Sequence, residues 1–328
     1  MESFEGKLAV VTGGGSGIGR ELVVQLAAAG CSVATCDVRA DAAADTAARA
    51  GEGAPTGVTV TGHECDVADE PAVEKFAAEV AERHGADHVN LLVNNAGIAG
   101  GGSFVTAPRE QWDRTFGVCW SGVYLCSRAF VPRLVASGEG WLVNVSSVNA
   151  FWPTNFPGNP HTAYSTAKAA VKGFSEAIAE DFRVNAPHVG VSLVMPGHIG
   201  TDIIANTRRI QRGSSSDTPT RGEIAQARAL MAARGMPSTL DEVSDDDVAG
   251  MMHAMAEGYR DSAPVTAAEA ATIILDGVRA GERRILVGAD AAALDTAVRE
   301  DPVRAFSADG IMAALADLFP DGLARRRP

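Results

Sequence analysis

Short apolar runs and longer stretches of helical spacing alternate from one end of the chain to the other. Lys7–Val11 is an apolar run that ends in a glycine cluster, and Ile18–Ala29 then places apolar residues at helical intervals until Gly30. The pair recurs as Val33–Asp37 with the Ala-rich Asp41–Ala50, Val58–Gly62 with Asp69–His84, Val89–Asn94 with Pro108–Val135, and Gly140–Val145 with Tyr164–Phe182. Val191–Met195 is a sixth run, and Ala267–Ala280 followed by Arg284–Val287 forms a late unit. Short strands alternating with helices predict a parallel sheet covered on both faces, and right-handed crossovers make it an α/β doubly wound fold, three layers α/β/α. Ligands of such sheets sit beyond the carboxyl ends of the strands. Those ends carry the unusual residues here: Gly13–Gly19, Asp37, Asp66, Asn94–Gly97, Ser146, Ser147, Pro196 and Gly197.

Composition narrows the class. A chain of 328 residues with 46% hydrophobic and 21% charged residues is neither disordered nor fibrous. A net charge of −13 argues against a nucleic-acid partner, and Arg325–Arg327 reads as a solvated tail. Five cysteines, an odd number without a C-x-x-C pair, suit reduced thiols in the cytoplasm. The first residues lack the basic-then-apolar character of a signal peptide, and no apolar stretch is long enough for a membrane span.

Three features carry chemistry. Thr12–Gly19 reads T-G-x-x-x-G-x-G between the first strand and the first helix. Gly13, Gly17 and Gly19 permit a tight turn, and with Ser16 and Ile18 they bring backbone N–H groups and a helix N-terminus toward a pyrophosphate. Asp37 ends the second strand, where a carboxylate accepts hydrogen bonds from both ribose hydroxyls of an adenosine and repels a 2′-phosphate. That selects NAD, while Arg39 keeps NADP open; a helix cap is the plainer role for Asp37. Tyr164 and Lys168 stand at i and i+4 on one helix face, an arrangement in which an ammonium favours phenolate and makes a general acid/base. Ser146 and Ser147 end the fifth strand, and a hydroxyl there can hold a substrate oxygen or cap a turn.

Together these motifs resemble the classical short-chain dehydrogenases/reductases, in the order Thr12–Gly19, Asp66-Val67, Asn94–Gly97, Val143–Ser147, Tyr164–Lys168 and Pro196-Gly197. The resemblance covers roughly residues 4–202. It implies a Rossmann fold and a bound nicotinamide dinucleotide. By the same resemblance Asp66 and Val67 border the adenine, and Asn94, Ala96 and Gly97 line the adenosine ribose and central sheet. Tyr164 and Lys168 touch the nicotinamide ribose, and Pro196, Gly197, Ile199 and Thr201 hold the carboxamide. Ser147, rather than Ser146, orients the substrate. The implied activity is NAD-dependent interconversion of a secondary alcohol and its ketone, with a small-molecule substrate, no metal, and a homodimeric or homotetrameric assembly. An NADP-linked carbonyl reductase, or a dinucleotide-binding protein with little turnover, is the alternative.

Two departures from the family pattern stand out. Phe116–Gly122 puts Cys119 where the family has an Asn that fixes a water of the proton relay; a small core residue is the plainer role for a thiol. The span from Ser147 to Tyr164 is long for the family, and its Phe151, Trp152, Pro153, Phe156, Pro157 and Pro160 read as one wall of a substrate pocket. The chain is expected to form one domain over 1–328, with 203–262 a substrate lid and 263–328 a C-terminal extension. Gln211–Thr220 reads as a mobile Ser/Pro/Gly stretch. Met231, Met236, Met251, Met252 and Met255 suggest a lid over a bulky lipophilic or aromatic substrate, or else an ordinary helical core stripe. Asp241–Asp247 reads as a solvated turn or helix start, and His161 and His198 lie near the pocket without a defined role.

Overall fold

The computed structural model describes residues 1–153, 160–213, 218–233, 243–306, 310 and 313–316. The first half runs β1 (Leu8–Thr12), α1 (Gly17–Ala28), β2 (Ser32–Asp37), α2 (Ala40–Glu52), β3 (Val60–Glu64), α3 (Glu70–His84) and β4 (Leu91–Asn94). Then come α4 (Arg109–Phe116), α5 (Gly122–Ala136), β5 (Gly140–Val145), α6 (Thr162–Asn185), β6 (Val189–Pro196) and β7 (Ile199–Gly200). The rest is α7 (Ile203–Arg212), α8 (Arg221–Ala233), α9 (Asp245–Asp261), β8 (Val265–Thr266), α10 (Ala267–Arg279), β9 (Arg284–Val287) and α11 (Ala289–Glu300). Seven strands form one parallel sheet in the order β3-β2-β1-β4-β5-β6-β9, and β7 pairs with β8 apart from it. The fold is the Rossmann-like α/β/α sandwich that the alternation predicts, and β9 adds the C-terminal residues to the sheet.

Two apolar cores fill the two faces. One joins Val11, Leu22, Leu26, Val93, Val143, Ile274 and Val278 under α1 and α10. The other joins Val10, Phe76, Leu92, Phe130, Leu142 and Phe182 under α3, α5 and α6. Strands apolar on both faces are what a doubly covered sheet requires. All five cysteines are free thiols inside these layers. Among the described residues no helix is long and apolar enough to cross a membrane.

The structure differs from the sequence pattern in three places. The third strand lies at Val60–Glu64, two residues beyond Val58–Gly62. His63 is buried there, because its ring bonds Glu79 Oε2 at 2.8 Å and Thr61 Oγ1 at 2.9 Å, and a satisfied buried histidine breaks the apolar pattern. The single helix expected over Pro108–Val135 is α4 and α5 joined by a π turn at Gly117–Ser121. Trp152, expected in a pocket wall, is fully buried with Val148, Ala291, Leu294 and Leu315. It anchors the C-terminal residues to the sheet. Phe156, Pro157, Met236 and Arg325–Arg327 lie outside the described residues.

Candidate active site

The glycine loop sits where β1 meets α1. Gly13 has φ +67, and a Cβ there would come within 2.7 Å of the Ala96 Cα, so the turn requires glycine twice over. No side chain caps α1 at Ser16. The first N–H groups of that helix are therefore left for a ligand, and the helix dipole makes the spot favourable for an anion. The Asp37 carboxylate closes over the loop: Oδ2 accepts from the Gly15 N–H and Oδ1 from the Arg39 N–H, each at 3.0 Å. Asp66 is held by Arg114 at 2.6 Å and by the Ala68 N–H at 3.0 Å.

One cleft of about 190 Å³ runs along the carboxyl ends of the strands. It brings together Gly13, Ser16, Gly17, Ile18, Asp37, Asp66, Val67, Ala96 and Gly97 with Ser147, Tyr164 and Lys168, and with Pro196, Gly197, Ile199 and Thr201. Two residues expected at the cofactor do not line it. Gly19 is buried one step into α1, where a Cβ would meet the Gly13 carbonyl oxygen at 2.2 Å; its glycine serves packing. Asn94 is buried in the sheet, donating to Ser127 Oγ at 3.0 Å and Asn144 Oδ1 at 2.8 Å. Its neighbour Asn95 lines the cleft instead and ties β4 to the glycine loop through the carbonyl oxygens of Thr12 and Gly13.

At the other end, α6 presents Tyr164 and Lys168, and the end of β5 presents Ser147. Ser147 Oγ accepts from the Asn149 N–H at 3.1 Å, which orients it as the cap of a short 3₁₀ turn. Burial pushes the Tyr164 phenol well above its ordinary range, and the Ser147 hydroxyl, which donates to Asn149 Oδ1 at 3.2 Å, acts in the opposite direction. Lys168 is buried, and its ammonium donates to the Val145 carbonyl oxygen at 2.8 Å while lying 5.6 Å from the Tyr164 ring centroid. Burial lowers the lysine as well.

The family model for the short chain dehydrogenases matches residues 7–212, nearly the whole of the structure just described up to the end of α7. The chain belongs to the short-chain dehydrogenase/reductase family of oxidoreductases. A Mycobacterium tuberculosis protein named as the oxidoreductase SadH is 34% identical over 299 residues, which cover 91% of this chain and 92% of that one. The 2-(R)-hydroxypropyl-CoM dehydrogenase of Xanthobacter autotrophicus is 34% identical over 198 residues, 60% of this chain and 75% of the relative. A crystal structure of a short chain dehydrogenase/reductase from Burkholderia phymatum in complex with NAD is similar with a TM-score of 0.72 and 28% identity, covering 92% of this chain and 95% of that one.

Cys119, which the resemblance sets at the family's Asn position, lies inside the π turn. Its thiol donates to the Ile98 carbonyl oxygen at 3.2 Å and accepts from the Ile98 N–H at 3.4 Å. The side chain braces the strand end beside Gly97. Burial pushes the thiol pKa up, which makes it a poor nucleophile.

Among the described residues the methionines singled out after α7 do not line the cleft. Met251 and Met252 pack with Ile224 and Val248 in a small core between α8 and α9, and Met255 is exposed. The cleft is faced instead by Ile203, Asn206, Arg209, Ile210 and Tyr259. Asn206 donates to Ser16 Oγ at 3.0 Å, and Thr207 Oγ1 accepts from the Ala99 N–H at 2.8 Å, so α7 is pinned across the glycine loop. The helical spacing of 203, 206 and 210 is the signal that could have marked this face. Of the acidic cluster, Asp245, Asp246 and Asp247 open α9, where Ser244 Oγ accepts from the Asp247 N–H, and Asp241 and Glu242 lie outside the described residues.

Proposed function

We propose that this short-chain dehydrogenase interconverts a secondary alcohol and its ketone with NAD, using Tyr164 as general acid/base. The observation that carries the reading is the meeting of Ser147, Tyr164 and Lys168 with the glycine loop and Asp37 in one cleft. The chain fits a dinucleotide: uncapped N–H groups at α1 suit the pyrophosphate, and the Asp37 carboxylate at the loop suits ribose hydroxyls. Lys168 has two N–H donors beyond its bond to Val145, which suit the hydroxyls of the second ribose. When bound, the nicotinamide takes or gives the hydride. Tyr164, as phenolate, takes the alcohol proton in the oxidative direction and returns it in the reductive one. Ser147 holds the reacting oxygen, and the Lys168 ammonium beside the Tyr164 ring favours the charged phenol. Ile203 and Ile210 on the opposite wall suit a lipophilic substrate body.

A second reading, an NADP-linked carbonyl reductase, rests on Arg39, whose side chain lines the same end of the cleft as Asp37. Buried free thiols suit a reducing cytoplasmic compartment, and family membership suggests a homodimer or homotetramer. The test is alcohol oxidation followed through the absorbance of reduced nicotinamide, with NAD or NADP and a panel of secondary and benzylic alcohols. Alcohol-dependent signal with NAD, and a weaker one with NADP, is expected. Tight cofactor binding without turnover of any alcohol or ketone overturns the reading in favour of a dinucleotide-binding role.

A further inference from the structure

Ser16 precedes α1 at the position where a serine hydroxyl commonly accepts from the first N–H groups of the helix. Here no side chain caps α1, and Ser16 Oγ accepts instead from Asn206 Nδ2 at 3.0 Å. The hydroxyl that could close the helix end is thus engaged by α7. Asn206 is bonded on its other side as well, because its Oδ1 accepts from Arg209 Nη1 at 3.1 Å. One amide therefore joins the glycine loop to a guanidinium, and Asn206 and Arg209 both line the cleft with Ser16 and Gly17. α7 is fixed at two further points. Thr207 Oγ1 accepts from the Ala99 N–H at 2.8 Å, and the Arg208 guanidinium donates to the Met252 carbonyl oxygen at 3.3 Å.

A pyrophosphate bears a negative charge on each phosphate, and a helix N-terminus offers only about half a positive charge. The chain adds to the deficit, with a net charge of −13 and the carboxylates of Asp37 and Asp66 along the cleft. Other basic side chains near the loop have different duties. Arg20, in the first turn of α1, donates to the Gly15 carbonyl oxygen and to Thr46 Oγ1. Arg114 is held by Asp66, and Lys168 by the Val145 carbonyl oxygen. Arg39 stands beside Asp37 at the end of β2. Arg209 comes from the opposite side, on α7. It is half-buried, so solvent ions screen it less, and the planar fork of a guanidinium matches phosphate oxygens.

We propose that Arg209, oriented by Asn206, is a cofactor-binding residue: its guanidinium donates to the pyrophosphate of the dinucleotide from α7, while the glycine loop holds the same group from α1. The proposal rests on the dinucleotide part of the reading above. Arg209 lies beyond residue 202, where the motifs that carry the family resemblance stop. The bond from Asn206 to Ser16 keeps the uncapped end of α1 and the guanidinium on one stretch of the cleft, so the anion meets backbone N–H groups on one side and a full charge on the other.

Titration calorimetry of NAD, NADP and ADP-ribose with the wild type, Arg209→Gln and Arg209→Lys tests this. ADP-ribose keeps the pyrophosphate and lacks the nicotinamide. Arg209→Gln is expected to weaken all three by about tenfold, the scale of a charge-assisted hydrogen bond, and Arg209→Lys to recover part of the loss. Wild-type affinity is expected to fall more steeply with added salt than that of the Gln variant. Unchanged binding in Arg209→Gln overturns the inference. A loss confined to NADP overturns it in favour of a 2′-phosphate contact, and equal losses in the Gln and Lys variants with the wild-type salt slope overturn it in favour of a packing role. A wild type that binds none of the three overturns the dinucleotide reading and the inference with it.

Discussion

Tyr164→Phe lowers kcat by about 10³-fold or more while NAD binds as before, the loss expected when a positioned general acid/base is removed. The substitution deletes one oxygen and leaves a ring that is already packed, so the fold and the cleft walls are retained. The same group sets a pH dependence whose sign follows from its surroundings. Burial holds the Tyr164 phenol above its ordinary range, so phenolate becomes more abundant as pH rises. Alcohol oxidation by the wild type therefore accelerates with rising pH, and ketone reduction, which needs the protonated phenol, slows. The Ser147 hydroxyl acts against the burial effect. Stopped-flow or steady-state rates across the pH range check this: a pH-independent oxidation rate, or a Phe variant with wild-type turnover, removes Tyr164 from the reaction.

Asp37→Ala weakens NAD binding by about 10- to 100-fold and brings NADP binding up relative to it, the range expected for losing charge-assisted hydrogen bonds. The carboxylate has two duties. It accepts the N–H groups of Gly15 and Arg39, which shape the loop, and its remaining lone pairs face the cleft. Once it is gone, the Arg39 side chain becomes the dominant charge at that end of the cleft, and a 2′-phosphate no longer meets a like charge. Fluorescence quenching titrations with both dinucleotides measure the change. A wild type that binds NADP more tightly, or a variant with an unchanged ratio, assigns Asp37 to loop structure only.

The sheet was legible in the sequence because each buried strand is a continuous apolar run and each helix keeps its spacing. The position of the site followed from topology, since glycine loop, Asp37, Ser147 and Gly197 all fall at carboxyl ends of strands. The rest depended on contacts between distant residues. His63 is polar by type but buried by its bonds to Glu79 and Thr61, which displaced the third strand. Asn94 looks like a ligand residue, yet Ser127 and Asn144 hold it inside the sheet. Trp152 meets partners around 291–315, far along the chain. A π turn carries no periodic signature, so the brace from Cys119 to Ile98 was invisible. Tyr259 reaches the cleft only because His198 and Asp290 fix the end of α9.

The account turns on one site in which the phenol of Tyr164 meets the oxygen, and the dinucleotide the carbon, of the same alcohol group. A crystal structure of the protein with NAD and a non-reacting alcohol analogue measures this most directly. The predicted result places the analogue's oxygen within about 2.6–3.2 Å of both Tyr164 Oη and Ser147 Oγ, with the pyrophosphate on the glycine loop. An analogue or a nicotinamide ring bound away from Tyr164 contradicts the account.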